Sequence, residues 1–329
     1  MILGSIRSLD GAILPDGEAV LVNRARSHVA LLPPEETSSL LHLIENWEVK
    51  LPRLREIQAA LEHGSWSETR PLGDLSFMAP LPRTWCFLDG SAFVQHVRLV
   101  RKARSADLPA DLLTTPLMYQ GVSDNLLGPT DDIPLLNPEH GMDFESEVAV
   151  ITNFVPRGTT ADQAAKHILF VTIMNDVSLR ELIPREVGTG FGFLQSKPPS
   201  SFAPYVLTPD ELGPAWQEGR LCLPIETRLN GEIFGNPTAQ EMHFSFFDLI
   251  EYAARTRPLS AGTIIGSGTV SNENPEVGSS CIVERRMLEI IATGVANTPY
   301  LHDGDEVTIS VTNAGLGLFG TIRQRIRQL

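Results

Sequence analysis

Residues 142–151 read MDFESEVAVI, and there Asp143, Glu145 and Glu147 alternate with Phe144, Ser146 and Val148 before an apolar run reaches Val150 and Ile151. A period of two marks a β-strand. Residues two apart on a strand point the same way, about 6.5 Å from one another, so the three carboxylates share one face. At an effective dielectric near 20 such neighbours repel by about 2–3 kcal/mol per pair. Two arrangements relieve this: an edge strand whose acidic face is solvated, or a divalent cation bound by that face. A cation needs a further oxygen ligand from elsewhere, because hard divalent metals take carboxylates and waters rather than thiols. Asp176, at the end of the apolar strand FVTIM, is the first candidate, and Asp89, at the end of WCFLD, is the second. Asp89 alone would read as a helix cap. His96 follows it by seven residues, close to two helical turns, so the two can face the same way.

The rest of the chain narrows the classes of function. With 329 residues and 42% hydrophobic composition there is enough core for one large domain or two unequal ones. A formal charge of -14 argues against nucleic acid or another polyanionic partner. The basic cluster Arg98, Arg101, Lys102 and Arg104 is spaced like the outer face of a helix. Cys86, Cys222 and Cys281 lie far apart without CxxC spacing, which predicts reduced core thiols in a cytoplasmic protein rather than disulfides or a zinc site. No apolar run reaches ~18 residues and no basic head precedes one, so neither export nor membrane insertion is expected. GTGFGF (188–193) and GSGTVS (266–271) match neither dinucleotide nor P-loop glycine patterns.

Along the chain, residues 1–30 read as short strands around LDG and PDG, and helical spacing follows in SSLLHLIENW and LPRLREIQAALEHG. The Pro-rich stretch SWSETRPLGDLSFMAPLPRTW is irregular. A boundary near residue 75 therefore separates a small N-terminal α/β domain, 1–75, from a larger domain, 76–329. WCFLD then predicts a strand, and SAFVQHVRLVRKA a helix with Ser91 as its cap and Phe93, Val97 and Val100 on its inner face. Beyond it the pattern is β-rich, with a hairpin at RLNGEIF, a helix in SFFDLIEYAART and closing strands around LHDGDEVTISVTNAG. The fold class expected is α+β, rich in strands.

Five segments, in order over about residues 80–329, resemble the fumarylacetoacetate hydrolase family. MDFESEVAVI is similar to its D-x-E-x-E strand, MNDVSLRE to N-D-x-[ST]-x-R-[DE], QSKPPSSFAP to K-[SP]-x-[DGS]-x-F-x-P, and GSGTVS to its G-T-[IPV]-[SG] turn. LDGSAFVQH reproduces the aspartate-to-histidine spacing of the fumarylacetoacetase-like branch. The resemblance implies a mixed β-sandwich roll and a metal held by Asp89, Glu145, Glu147 and Asp176. It implies His96 as general base, oriented by Glu284, with Arg180 and Lys197 as active-site cations and Tyr119 and Thr269 beside the substrate. Asp143 is expected instead to accept backbone hydrogen bonds. Two departures stand out: Ile183-Pro184 replaces a glutamine that such enzymes carry after the arginine, and the lysine is displaced by one residue.

The chemistry so implied is metal-dependent hydrolysis of a carbon–carbon bond in a small 1,3-dicarbonyl carboxylate, of fumarylacetoacetate or acylpyruvate type. Mg²⁺ is the expected ion, with Mn²⁺ or Ca²⁺ as alternatives. A homodimer acting in the catabolism of aromatic compounds is the family-level expectation. The alternative activity is decarboxylation, hydration or isomerisation of 2-oxo acids at the same metal, and a metal-stabilised scaffold without catalysis is the reading from another class.

Overall fold

In the computed structural model, which describes residues 1–103, 107–108 and 110–329, two large β-sheets, two small two-stranded ones and flanking helices build an α+β, strand-rich fold. Arg104 of the basic cluster lies outside the described residues. The larger sheet runs in the order Thr69–Pro71, His28–Leu31, Glu18–Val22, Ile2–Ile6, Val206–Leu207, Ile168–Asn175, Ser146–Thr152, Ile264–Gly266, Phe87–Gly90 and Met118–Gly121. The strands of residues 1–75 thus continue the sheet of the remaining chain through Ile2 and Leu3, which pair with Leu207 and Val206. A five-stranded sheet, closed by Glu306–Asn313 and Leu316–Gln328, forms a second layer.

The apolar half of the opening motif explains why these layers assemble. Every residue of the strand Ser146–Thr152 is buried. Val148 and Val150 face one core with Val307, Ile309 and Phe319 of the second sheet, whereas Ala149 and Ile151 face another with Leu43, Trp47 and Ile57 of the N-terminal helices. A strand covered on both faces needs a continuous apolar run, and burying each such side chain contributes about 1.5–3 kcal/mol. Trp47 meets Phe170 edge-to-face at 5.0 Å and locks the helical layer to the sheet. The edge-strand explanation for the acids fails, because this strand lies between Ile168–Asn175 and Ile264–Gly266.

Several local expectations hold. Asn230 and Gly231, both at positive φ, turn the hairpin between Glu226–Leu229 and Glu232–Gly235. Ser245 caps the helix Phe246–Ala254 through a capping box with Asp248. Two expectations do not. The acidic strand is broken, since Met142–Asp143 pairs with Ser178–Leu179 and the main strand begins only at Ser146, so the three acids do not share one regular face. The helix expected after Ser91 begins at Val94, because the Ala92 N–H is spent on the carbonyl of Ser267. Asp89 and His96 therefore do not meet as helical neighbours. One ends a strand, and the other sits on the first turn of Val94–Ala103, a helix packed against Ile282–Thr293.

Candidate metal centre and catalytic cleft

Three strand ends deliver acids to one place. Asp89 from Phe87–Gly90, Glu147 from Ser146–Thr152 and Asp176 just beyond Ile168–Asn175 each bring a carboxylate oxygen within 4.8 Å of the other two, and all three residues are buried. The sheet must come close to allow it. Gly266 and Gly268 on the adjoining strand and turn lie so near that a Cβ at Gly266 would run into Asp89 Oδ1, and one at Gly268 into the carbonyl of Gly90. The Gly268 N–H donates to Glu147 Oε2 at 3.0 Å and to Asp89 Oδ1 at 3.2 Å. Glycine is required here for close backbone approach rather than for phosphate binding.

Glu145 stands beside this trio. Lys197 Nζ donates to Glu145 Oε2 at 2.8 Å, to Ser178 Oγ at 2.7 Å and to Asp176 Oδ2. Arg180 donates through Nη2 to Glu145 Oε1 at 2.5 Å and through Nε to Asp143 Oδ2 at 2.8 Å. Burial would raise the Glu145 carboxyl, but Arg180 and Lys197 hold it well below the ordinary range. Burial likewise opposes the charge on Lys197, and Asp176 and Glu145 more than restore it. Asp143 acts on the backbone instead. It accepts from the N–H groups of Ile282 and Val283, at 2.7 and 2.9 Å, where the helix Ile282–Thr293 starts.

The donor set fits a hard divalent cation. Glu147 Oε1 is buried without a hydrogen-bond partner among the described residues, an expensive state for a carboxylate oxygen unless a cation meets it. Asp89 and Glu147 are both pushed well up, first by burial and then by neighbouring carboxylates, so a cation there would compete with protons for them. All donors are oxygens, as Mg²⁺ or Mn²⁺ prefers. A testable pH dependence follows. The folded-state carboxyl pKa values are raised, so the ion competes with protons in the window above the ordinary carboxylate range. Calorimetric titration with Mn²⁺ should release protons and show affinity rising with pH through that window. Affinity independent of pH between about 5 and 8, above the ordinary carboxylate range, would remove the trio from the ligand set.

On the other side of a cleft of about 420 Å³ stands His96. Its Nδ1 lies 2.9 Å from Glu284 Oε2, on a glutamate that is 2% exposed in the first turn of Ile282–Thr293. Cys281 lies near both, but burial pushes its thiol well up, and a neutral thiol is a poor metal ligand. Tyr119 and Thr269 line the same cleft as Asp89, Glu145, Arg180 and Lys197. Burial, and then Asp176, raise the Tyr119 phenol, which donates to Asp176 Oδ2 at 2.8 Å.

All ten sequence-derived positions thus fall at this centre or its cleft, although Glu145 faces cations rather than the oxygen trio. Three contributors were missed. Ser178 and Ser200, which contact Lys197 and Asp176, occupy the [ST] and [DGS] places of the two motifs and were legible there. Glu186 was not. It accepts from the N–H groups of Leu194, Gln195 and Ser196 and from Ser196 Oγ, and so ties down the loop leading into Lys197. No spacing rule connects it to that loop.

Comparison with known proteins identifies the family and the fold. Residues 85–327 match the family described as fumarylacetoacetate (FAA) hydrolase C-terminal, and residues 1–83 match fumarylacetoacetase N-terminal domain 2. A mitochondrial oxaloacetate tautomerase of Homo sapiens is 26% identical over 243 residues, covering 72% of this chain and 70% of that protein. Among solved structures, fumarylacetoacetate hydrolase of Exiguobacterium antarcticum superposes with a TM-score of 0.67 at 20% identity, covering 100% of both chains. Maleylpyruvate hydrolase of Sphingobium sp. SYK-6, in complex with manganese (II) ion and pyruvate, superposes with a TM-score of 0.68 at 16% identity, covering 100% of this chain and 99% of that one. The two solved structures share the fold, and the family match spans well over half the sequence: the chain belongs to the fumarylacetoacetate hydrolase family.

Proposed function

We propose that the protein hydrolyses a carbon–carbon bond in 1,3-dicarbonyl carboxylates of the fumarylacetoacetate or acylpyruvate type. The observation that carries this reading is the His96–Glu284 pair at 2.9 Å, facing the acidic centre across the cleft. With Nδ1 committed to Glu284, the other ring nitrogen, Nε2, is the one available to a water. His96 takes a proton from that water as its oxygen bonds to the distal carbonyl carbon. The bond from this carbon to the central methylene then breaks, and its electron pair passes into the enolate of the departing oxo acid, a 3-oxo acid from fumarylacetoacetate or a 2-oxo acid from an acylpyruvate. The proton on Nε2 returns to the enolate carbon. One water is consumed, and one carboxylic acid and one oxo acid are released. Asp89, Glu147 and Asp176, with Glu145 alongside, would hold a divalent ion, which when bound would supply Lewis-acid stabilisation of enolate oxygens. Arg180 and Lys197 keep positive charge beside the place where negative charge develops.

A second reading has its own support. The human relative is an oxaloacetate tautomerase, and enolate stabilisation also serves tautomerisation or decarboxylation of a 2-oxo acid. Decarboxylation needs no water-activating base, so the histidine pair favours hydrolysis over it, whereas tautomerisation moves a proton that His96 could equally carry. Ultraviolet absorbance of the enolised dicarbonyl separates the readings. Protein stripped with EDTA, then supplied with Mg²⁺ or Mn²⁺, is expected to consume fumarylacetoacetate or an acylpyruvate only after metal is added, yielding two acids. Should oxaloacetate alone respond, by a change of tautomer or release of carbon dioxide, the hydrolase reading fails.

A further inference from the structure

We infer that the part of the substrate beyond the dicarbonyl is uncharged and apolar, so that the site prefers 2,4-dioxo acids with alkyl or aryl acyl groups to dicarboxylates. This rests on the 1,3-dicarbonyl reading above and concerns its other end. Beyond the acidic centre the cleft is walled by Val100, Leu117, Ile183, Phe193, Val283 and Met287. These come from unrelated segments. Val283 and Met287 project from one helix onto Val100 of another, and Phe193 stands edge-to-face on Tyr119 at 5.0 Å. Such a wall removes an alkyl or aryl group from water at no polar cost.

Charge argues the same way. Among the described residues that line the cleft, the permanent cations are Arg180 and Lys197. Both are already engaged at hydrogen-bonding distance, Arg180 by Asp143 and Glu145, Lys197 by Glu145 and Asp176. Neither is left over for a second carboxylate at the far end. Exposed Glu181 also lines the cleft, beside Ile183 and Pro184. A distal carboxylate would lose water against Phe193 and Met287 and meet Glu181 as a like charge, without a counter-ion.

Two unreactive probes test this: N-hexyl oxamate, whose oxamate head offers the same pair of chelating oxygens as a 2-oxo acid, and N-(5-carboxypentyl) oxamate, of matching length with a terminal carboxylate. Calorimetric titration of each into Mn²⁺-loaded protein is expected to give about 10- to 100-fold tighter binding of the hexyl compound. Ile183→Arg should narrow that ratio by strengthening the carboxylate-tailed probe. Equal affinities, a reversed order or binding of neither compound by the unsubstituted protein overturns the inference. Because the probes are not turned over, the two readings fail separately. A hexyl preference with no dicarbonyl hydrolysis removes only the hydrolase reading, and hydrolysis with a reversed ratio removes only this one.

Discussion

Replacing Lys197 by methionine should lower folding stability by about 3–5 kcal/mol in metal-free protein, a large effect for one side chain. The substitution keeps most of the aliphatic stem and its volume while deleting the charge. In the native protein the lysine is 8% exposed, and its ammonium serves Glu145, Asp176 and Ser178 together. Without it, among the described residues, Asp176 keeps the hydroxyls of Tyr119 and Ser200 and Glu145 keeps Arg180. Two buried carboxylates are then undercompensated, and removing one partner of a buried pair costs far more than the pair contributes net. Urea melts in EDTA measure the loss. Adding Mn²⁺ should restore more stability to Lys197→Met than to the parent protein, because the ion replaces part of the missing positive charge. A loss under about 1 kcal/mol would mean that the lysine is a solvated ion pair and not the counter-charge of this centre.

The balance of charges at Lys197 could be anticipated from residue types, whereas its geometry could not. The D-x-E-x-E alternation announced an unusual density of acid, and the K-P-P segment announced a restrained lysine. Asp143 accepts backbone hydrogen bonds as expected; what the sequence concealed is that the backbone it holds is the start of the helix carrying Glu284. That helix, Ile282–Thr293, lies in a region where the pattern predicts mainly strands, although its Glu, Arg, Met and Leu residues are good helix formers. Strand periodicity predicted three acids on one face, but the chain breaks at Phe144–Glu145, where the Asp176 N–H donates to the Glu145 carbonyl and Glu145 N–H to Asn175 Oδ1. Long-range pairing overrode local pattern there. The same limit applies to Glu186, whose carboxylate reaches a loop eight to ten residues away. By contrast, the strand running apolar through residues 148–151, the Asn-Gly hairpin and the helix in SFFDLIEYAART were legible because propensity, pattern and tertiary contacts agree at each.

Replacing His96 by glutamine should lower kcat by about 100- to 10,000-fold against a 1,3-dicarbonyl substrate while leaving Mn²⁺ affinity within about twofold. Glutamine is the informative choice because its amide N–H can still donate to Glu284, whose burial would otherwise punish the loss of a partner. Folding is thereby held nearly constant and only proton transfer is removed. Glu284→Gln should cost less, since the imidazole survives but loses the carboxylate that fixes its tautomer and steadies its charged form. The two effects should not add. Glu284 acts on the reaction through His96, so a protein carrying both substitutions should be no slower than His96→Gln alone, a strong coupling in a double-mutant cycle. Additive losses would place Glu284 in a separate role, and a His96→Gln rate within about threefold of the parent would show that water is activated by some other group, since general-base removal is worth at least about 100-fold.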